Sequence, residues 1–165
     1  MGGTRNASES RASKAIIDFL ANIPMFDTLK GNELRIVTGQ MNFTELEKGE
    51  ILFREGDTGD YVCFVVEGTL DVLKKTDKGE YVPLATLSRG RSIGEMAVID
   101  DFPRSATVRA QTAATLVILT RKGFDLILQE HSDIGVRILK GISRLLSQNL
   151  RKTSSRLVDY MLPIS

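Results

Sequence analysis

An acid and a base stand nine positions apart in a stretch that otherwise has the composition of a protein interior. The stretch covers residues 94–108 and reads GEMAVIDDFPRSATV, with Glu95 near its start and Arg104 after Pro103. A guanidinium group can hold two oxygens of one phosphate, and a carboxylate can accept a hydrogen bond from a hydroxyl group. The pair therefore predicts a site for a ligand that carries a phosphate beside a sugar hydroxyl.

The neighbours of the pair suit such a site. We expect residues 95–99 to form one helical turn, whose first N–H groups favour an anion. Pro103 fixes the backbone ahead of Arg104, so the arginine side chain is held in a set direction. Ser105 adds a hydroxyl group, and the small Ala106 lets a ligand approach its backbone.

A plainer interpretation of the same residues stays open. Glu95 can cap a helix, and Arg104 can lie at the surface and pair with Asp100 or Asp101. An Arg-Ser pair near a Gly-Glu pair is not specific by itself, so the chemistry of the side chains does not decide between the two interpretations.

Strands must position these residues. Between about residues 41 and 120, short runs of Val, Leu, Thr and aromatic residues alternate with turns that contain Gly and Asp, a pattern typical of a β sandwich or barrel. Asp77-Lys78-Gly79 predicts a hairpin turn. The GDTGD stretch at residues 56–60 has the composition of either a metal loop or a turn, and we interpret it as a turn. The runs read ILF, YVCFVV, TLDVLKK, EYVPLATL, ATVRA and ATLVILT.

Helical spacing of apolar residues flanks the strands on both sides. It predicts helices within residues 9–22 and 29–41, a helix over 121–131, and a long helix from 134 to about 160. The long helix has a broad apolar stripe, suited to packing on the strands and on a second chain. The predicted fold class is mainly β with flanking helices: an antiparallel, jelly-roll-like β-roll with N-terminal helices and a long C-terminal helix.

Length and composition set the boundaries of the prediction. The chain has 165 residues, a net charge of +1 and one cysteine, Cys63, so one soluble domain in a reducing compartment is expected. We predict a disordered or tag-like lead over residues 1–10 and a single domain over 11–160, with the roll at about 41–120 and the C-terminal helices at about 122–160. No catalytic set, metal-ligand spacing or membrane span is recognisable, so neither an enzyme nor a metal site is expected.

The stretch GEMAVIDDFPRSATV resembles the phosphate-binding cassette of cyclic-nucleotide-binding domains, which occur in catabolite activator proteins and protein kinase A regulatory subunits. The segments ANIPMFDTL and KGEILFREGDTGDYVCFVVEGTLDVL are similar to earlier parts of the same domain, and the resemblance covers roughly residues 15–155. It implies a roll of about eight antiparallel strands that holds a cyclic nucleotide on the cassette. The loop Asp100-Asp101-Phe102 departs from the family pattern, because it lacks a glycine often seen before Pro-Arg.

The resemblance also implies roles for individual residues. Arg104 would pair with the cyclic phosphate, Glu95 would take the ribose 2′-hydroxyl, and Ser105 would contact the phosphate. Close backbone contact would come from Gly94, Ala97 and Ala106, with Met96 between them. The base would meet Leu84, Ala85 and Asn149, and Arg144 and Arg156 are further candidates for the contact made by Asn149.

These roles lead to a function prediction with stated alternatives. Some family members that favour cGMP have Thr after the cassette arginine, and this chain has Ser105, so cAMP is preferred over cGMP. The chain is predicted to be a bacterial, cytoplasmic cAMP sensor without catalysis or direct DNA binding, acting on an unknown effector and able to form a homodimer through the last helix. The alternatives are a scaffold of the same fold that binds no nucleotide, and the sensory part of a larger transcription regulator.

Overall fold

The computed structural model describes residues 13–161 and contains two antiparallel sheets with helices before and after them. Residues 13–21 form α1, which is followed by a short 3₁₀ helix, Pro24–Phe26, and by α2, Gly31–Thr38. A second 3₁₀ helix, Glu95–Val98, is called the cassette helix below, and residues 94–108 are called the cassette. The strands are β1 Met41–Leu46, β2 Ile51–Phe53, β3 Tyr61–Glu67, β4 Leu70–Lys75, β5 Tyr81–Leu87, β6 Ser92–Ile93, β7 Thr107–Ala110 and β8 Ala114–Thr120. The last helices are α3, Arg121–Glu130, and α4, Ser132–Met161.

The eight strands form two four-stranded sheets. The first has the order β1-β8-β3-β6, and the second has the order β2-β7-β4-β5. Neighbouring strands of both sheets run antiparallel. The predicted hairpin is confirmed: β4 and β5 pair from Leu70↔Leu87 to Lys75↔Tyr81, and Gly79 takes the positive φ of 82° that the turn needs.

The central strand β3 explains why its sequence is a continuous apolar run. Successive side chains of a strand point to opposite faces, so a strand buried on both faces has no polar alternation. Val62 and Phe64 contact the helices on one face, while Cys63 and Val65 face the second sheet. All four are fully buried.

Two hydrophobic cores follow from this layering. The inner core lies between the sheets, and the outer core joins the first sheet to the helices. The Cys63 thiol lies in the inner core, where burial raises its pKa to about 12. The antiparallel β-roll with flanking helices is therefore confirmed.

Polar contacts anchor the last two helices. Thr120 caps α3, since its hydroxyl oxygen accepts a hydrogen bond from the Gly123 amide at 3.0 Å. The α4 residues Arg137 and Arg144 form ion pairs with Glu33 and Asp27 of the N-terminal part.

The predicted lead over residues 1–10 lies outside the described residues, and the boundary of the domain at residues 11 and 160 stays a prediction. Of the helices within residues 13–161, none has the length and hydropathy of a membrane span.

Candidate functional site

The backbone of Arg104 is held against the loop between β2 and β3. The Arg104 amide donates to the Asp57 carbonyl at 2.8 Å, and the Arg104 carbonyl accepts from the Gly56 amide at 2.8 Å. The loop itself is closed by the Asp57 carboxylate, which accepts from the Arg54 amide at 2.8 Å. The GDTGD stretch is thus the turn that holds the Arg104 backbone in place.

The Arg104 guanidinium is buried between two aromatic rings. Its central carbon lies 4.1 Å from the ring centre of Phe53 and 4.5 Å from that of Tyr61. These cation–π contacts stabilise the charge of a side chain that has lost most of its hydration, since the residue is only 6% exposed. Nη2 donates to the Tyr61 carbonyl at 2.9 Å. The Nε and Nη1 groups are buried and have no hydrogen-bond partner among the described residues.

Two glycines make room for this guanidinium. A Cβ atom on Gly59 would lie 2.2 Å from Arg104 Nε, and one on Gly94 would lie 2.4 Å from Nη1. Both distances are far below van der Waals contact, so a side chain at either position would displace the arginine. Gly94 also has a φ of 86°, a backbone conformation that favours glycine.

Glu95 is the first residue of the cassette helix and is 8% exposed. Its Oε2 atom is buried and unpartnered within residues 13–161. Burial raises the pKa of the Glu95 carboxyl, because removal from water disfavours the charged form. A hydrogen bond from the Glu95 backbone amide and the charge of Arg91 act in the opposite direction on the same pKa.

The unpaired groups belong to two residues that line the same cavity. In the part of the chain that the structure describes, the buried side-chain atoms without a partner are Glu95 Oε2, Arg104 Nε and Arg104 Nη1. Buried polar atoms in native proteins nearly always have partners, so three exceptions on two residues point to a missing ligand. Both side chains line a cavity of about 120 Å³. The rest of its wall comprises Phe53, Ile93, Gly94, Met96, Ala97, Asp100, Phe102, Pro103, Ser105 and Ala106.

The interpretation of Arg104 as a surface residue paired with an aspartate is wrong. Arg104 is buried, and it makes no ion pair with Asp100 or Asp101. Arg121 binds the Asp101 carboxylate instead. The other part of that interpretation, Glu95 as a helix cap, also finds no support, since Glu95 lies inside the helix and Gly94 is the capping residue.

The Ser105 backbone has an additional anchor on β4. Lys74 Nζ donates to the Ser105 carbonyl at 2.7 Å and also forms an ion pair with Glu55. The Ser105 side chain is exposed at the cavity wall, while Ala106 is buried. The cassette is therefore held from β4 as well as from the β2–β3 loop.

The structure separates the predicted base contacts from the cavity. Leu84 and Ala85 are exposed on β5, the edge strand of the second sheet, and do not line the cavity. Leu84 falls at an irregularity in the β4–β5 pairing, where Val72 pairs with Ala85 and Leu73 with Pro83. Their contact with a base stays a prediction.

Asn149 lies on the exposed part of α4, near the cassette from the other side. It lines a second cavity, of about 70 Å³, together with Glu95, Leu145 and Arg91. Glu95 therefore belongs to the walls of both cavities. Of the other candidates for a base contact, Arg144 pairs with Asp27 and Arg156 is exposed near the end of α4.

Sequence reasoning missed three residues that shape the site. Phe53 and Tyr61 enclose the Arg104 guanidinium, and Gly59 contacts its Nε. The signal for the aromatic pair was their place at the two strand ends beside the GDTGD turn. Nothing local links that turn to a residue more than 40 positions later, so the partnership emerges only from the folded chain.

Comparison with known proteins identifies the family that this chain matches. A family model described as "Cyclic nucleotide-binding domain" matches residues 43–131, which is more than half of the chain. A cAMP-dependent protein kinase regulatory subunit of Emericella nidulans is 32% identical over 110 residues, which is 67% of this chain and 26% of the relative. A putative potassium channel protein of Rhodopseudomonas palustris is 27% identical over 79% of this chain and 31% of its own.

Solved structures agree with the fold. The crystal structure of a cyclic nucleotide-binding domain from Methylobacillus flagellatus superposes with a TM-score of 0.81 at 26% identity, covering 92% of this chain and 85% of that one. The catabolite activator protein of Thermus thermophilus has a TM-score of 0.76 at 23% identity, with 84% and 63% covered, and supports the fold alone.

The matched region is only a part of each curated relative. The chain spans about a quarter to a third of the length of the two curated relatives. The relatives come from a fungus and from a bacterium, so the bacterial source of this chain stays a prediction. The similarity concerns a regulatory domain within longer proteins.

Proposed function

Because the chain belongs to the cyclic nucleotide-binding domain family, we propose that it is a sensor module whose regulatory ligand is cAMP. The observation that carries the proposal is the set of unpaired buried atoms on Glu95 and Arg104 around one cavity. Fully buried charged side chains are normally paired, because an unpaired one loses hydration without compensation. A bound ligand that satisfies both groups would remove that cost.

The side chains present fit a cyclic nucleotide in their chemistry. Arg104 has two free N–H groups for the oxygens of a phosphate, and Glu95 has a free carboxylate oxygen for a sugar hydroxyl. Gly94 and the small side chains of Ala97 and Ala106 leave the cassette backbone accessible to such a ligand. Ser105 lies at the same wall and adds a hydroxyl group.

The choice of cAMP rests on Ser105. Some members of the family that favour cGMP have Thr at that position, whereas this chain has the smaller Ser105. Leu84, Ala85 and Asn149 remain the proposed contacts of the base. Because these three lie outside the cavity that holds Glu95 and Arg104, we expect the base contacts to form as the ligand binds.

The direct test is isothermal titration of purified chain with cAMP, with cGMP and with 5′-AMP, after removal of any copurified nucleotide. We expect cAMP to bind in the micromolar range or tighter and more strongly than cGMP. 5′-AMP keeps the base and sugar but has an open phosphate, so weaker binding of 5′-AMP would assign recognition to the cyclic phosphate. No binding of any of the three to folded protein would contradict the proposal and favour the nucleotide-free scaffold.

We propose a second copy of the chain as partner through the distal half of α4. Residues 147–161 are all exposed, with Leu150 at 68% and Leu157 at 57%. An isolated helix of this length is marginal in water, so a partner would stabilise it. Leu150, Thr153, Leu157 and Tyr160 follow the alternating spacing of three and four residues that is typical of a coiled-coil seam.

Light scattering of the wild type and of the double variant Leu150→Asp/Leu157→Asp tests this partner. We expect a dimer for the wild type and a monomer for the variant, with nucleotide binding kept. A wild-type monomer at high protein concentration would contradict the dimer and leave the nucleotide proposal untouched. We propose no reaction for the chain, and its cytoplasmic location and its effector stay predictions from the sequence.

A further inference from the structure

Arg121, the first residue of α3, directs its guanidinium at the cassette rather than at solvent. Its Nε donates to the Ala97 carbonyl at 2.9 Å, and its Nη2 reaches the Gly59 carbonyl at 3.4 Å. Nη2 also donates to the Ala97 and Asp100 carbonyls, and Nη1 pairs with the Asp101 carboxylate. One side chain thus binds two separate segments of the chain.

The end of the cassette helix explains why an arginine stands here. The last carbonyls of a short helix have no partner within the helix and carry a partial negative charge. Ala97 lies in the last turn of the cassette helix, and Asp100 follows it. A cation with several N–H donors in a fixed fork satisfies both carbonyls at once, which the single ammonium group of a lysine does less well.

The second segment that Arg121 binds is the loop that contacts Arg104. Gly59 approaches Arg104 Nε closely enough that an added Cβ would lie at 2.2 Å. The Arg121 amide also donates to the Asp60 carbonyl at 2.6 Å. The start of α3 therefore fixes the loop behind Arg104 and the helix that carries Glu95.

We infer that Arg121 is a positioning residue that sets the spacing between Glu95 and Arg104 for the ligand. The inference rests on the proposed function. Arg121 does not line the cavity, so it acts through Gly59, Ala97 and Asp100 rather than by contact with the ligand. Sites hold their ligands tightly when hydrogen bonds behind the contacting residues lock their geometry.

The test compares Arg121→Gln with a matched arginine elsewhere. Arg137 has a similar exposed fraction, 28% against 26% for Arg121, and it also binds a carboxylate and a backbone carbonyl, but on α4 away from the cassette. We expect Arg121→Gln to weaken cAMP binding on the order of tenfold, mainly through faster dissociation. Arg137→Gln should bind cAMP like the wild type, although both variants lose thermal stability.

A readout without ligand separates positioning from general destabilisation. The cassette amides of Ala97, Ile99 and Asp100 donate to carbonyls within the cassette at 2.9–3.1 Å. We expect their hydrogen exchange to accelerate in Arg121→Gln and not in Arg137→Gln, while exchange in β3 and β8 stays unchanged. Arg121→Lys keeps the charge and should fall between the wild type and the glutamine variant in both measurements.

The outcomes divide clearly. Equal cAMP affinity of Arg121→Gln and the wild type, or an equal loss in Arg121→Gln and Arg137→Gln, would overturn the inference. If Arg121→Gln does not fold, Arg121→Lys is the deciding variant. Wild-type cAMP affinity and wild-type exchange of the cassette amides in that variant would overturn the inference. If the wild type binds no cyclic nucleotide, the proposed function fails by itself, and the exchange of the cassette amides then supports or overturns the positioning role.

Discussion

Arg104 and Arg137 each share a site with a glutamate, Glu95 and Glu33 respectively. Only in Arg137 does every side-chain nitrogen donate a hydrogen bond within the protein. Its three side-chain nitrogens donate to the Glu33 and Asp133 carboxylates and to the carbonyls of Thr28 and Asp133. Glu33 also accepts from the Lys30 amide at 2.8 Å. This group joins α4 to α2 and leaves no donor for a ligand.

The Arg104 neighbourhood is more buried and less complete. Arg104 and Glu95 stand nine residues apart, yet no hydrogen bond or ion pair joins them in the described chain. Aromatic rings and a backbone carbonyl hold Arg104, and the cassette helix holds Glu95. Arg137 and Glu33 bind each other and so stabilise the fold. Arg104 and Glu95 are kept apart at a cavity, and their unpaired groups remain available to a ligand.

Loss of the Arg104 guanidinium should have the largest effect on binding. We expect Arg104→Ala to weaken cAMP binding roughly a hundredfold or more, since removing one partner of a buried charge contact is costly. Arg104→Lys should fall in between, because an ammonium group cannot form the two-pronged contact. Isothermal titration measures both variants, with Arg137→Ala as the control that keeps wild-type affinity. Equal affinities for Arg104→Ala and the wild type would disprove the phosphate assignment.

A chemical change in the ligand sharpens the role of Glu95. We expect Glu95→Gln to weaken cAMP binding about tenfold, because hydrogen bonds to charged groups contribute more than neutral ones. With 2′-deoxy-cAMP the same substitution should have no effect, since the hydroxyl group that Glu95 is proposed to bind is absent. A similar loss with both nucleotides would remove the ribose assignment and leave Glu95 a structural role.

The two carboxylates should give opposite dependences of stability on pH. The pKa of Glu33 is lowered from 4.5 to about 2, chiefly by the hydrogen bond to Arg137, so the stability it contributes is present above pH 4.5 and is lost as pH falls toward 2. The pKa of Glu95 is raised by burial, so its ionisation destabilises the folded state as pH rises through the raised value.

Urea unfolding of Glu33→Gln and Glu95→Gln at several pH values measures this contrast. Relative to the wild type, Glu33→Gln should lose stability above pH 4.5 and approach wild-type stability near pH 2. Glu95→Gln should gain stability relative to the wild type as pH increases above 4.5. The same pH profile for both variants would show that the two carboxylates do not differ in the way the structure indicates.

The smallest effect is expected at the outer ion pair of the helical region. Arg144 and Asp27 are about half exposed and lie 2.9 Å apart. An exposed pair of this kind contributes at most about 1 kcal/mol. Arg144→Gln should therefore change the unfolding free energy by that amount or less. A loss of cAMP affinity in this variant would instead support the secondary prediction that Arg144 approaches the base.

The sequence predicted elements better than their mutual contacts. The apolar runs became β2 to β5, β7 and β8, and the turn at residues 77–79 joins β4 to β5, because these patterns are local. The two-residue strand β6 has no pattern long enough to detect. The stretch GEMAVIDDFPRSATV identified Glu95 and Arg104 as site candidates through its resemblance to a known cassette, and both residues line the cavity.

Partners distant in the sequence were the part that could not be predicted. Tyr61 lies 43 residues before Arg104 and accepts its hydrogen bond, and Arg121 lies 24 residues after Ala97. The sequence also did not reveal that Asn149 shares a cavity wall with Glu95 and not with Leu84. Such contacts depend on how the two sheets and the helices pack, which no single window of sequence contains.

The buried thiol of Cys63 gives the chain a practical advantage. It is the single cysteine, and its pKa of about 12 leaves almost no reactive thiolate at neutral pH. A cysteine introduced at an exposed position, such as Lys78 in the β4–β5 turn or Lys152 on α4, would therefore react alone with a spin label or fluorophore. Distances between labels on the roll and on the last helix can be followed during a nucleotide titration with the native Cys63 left in place.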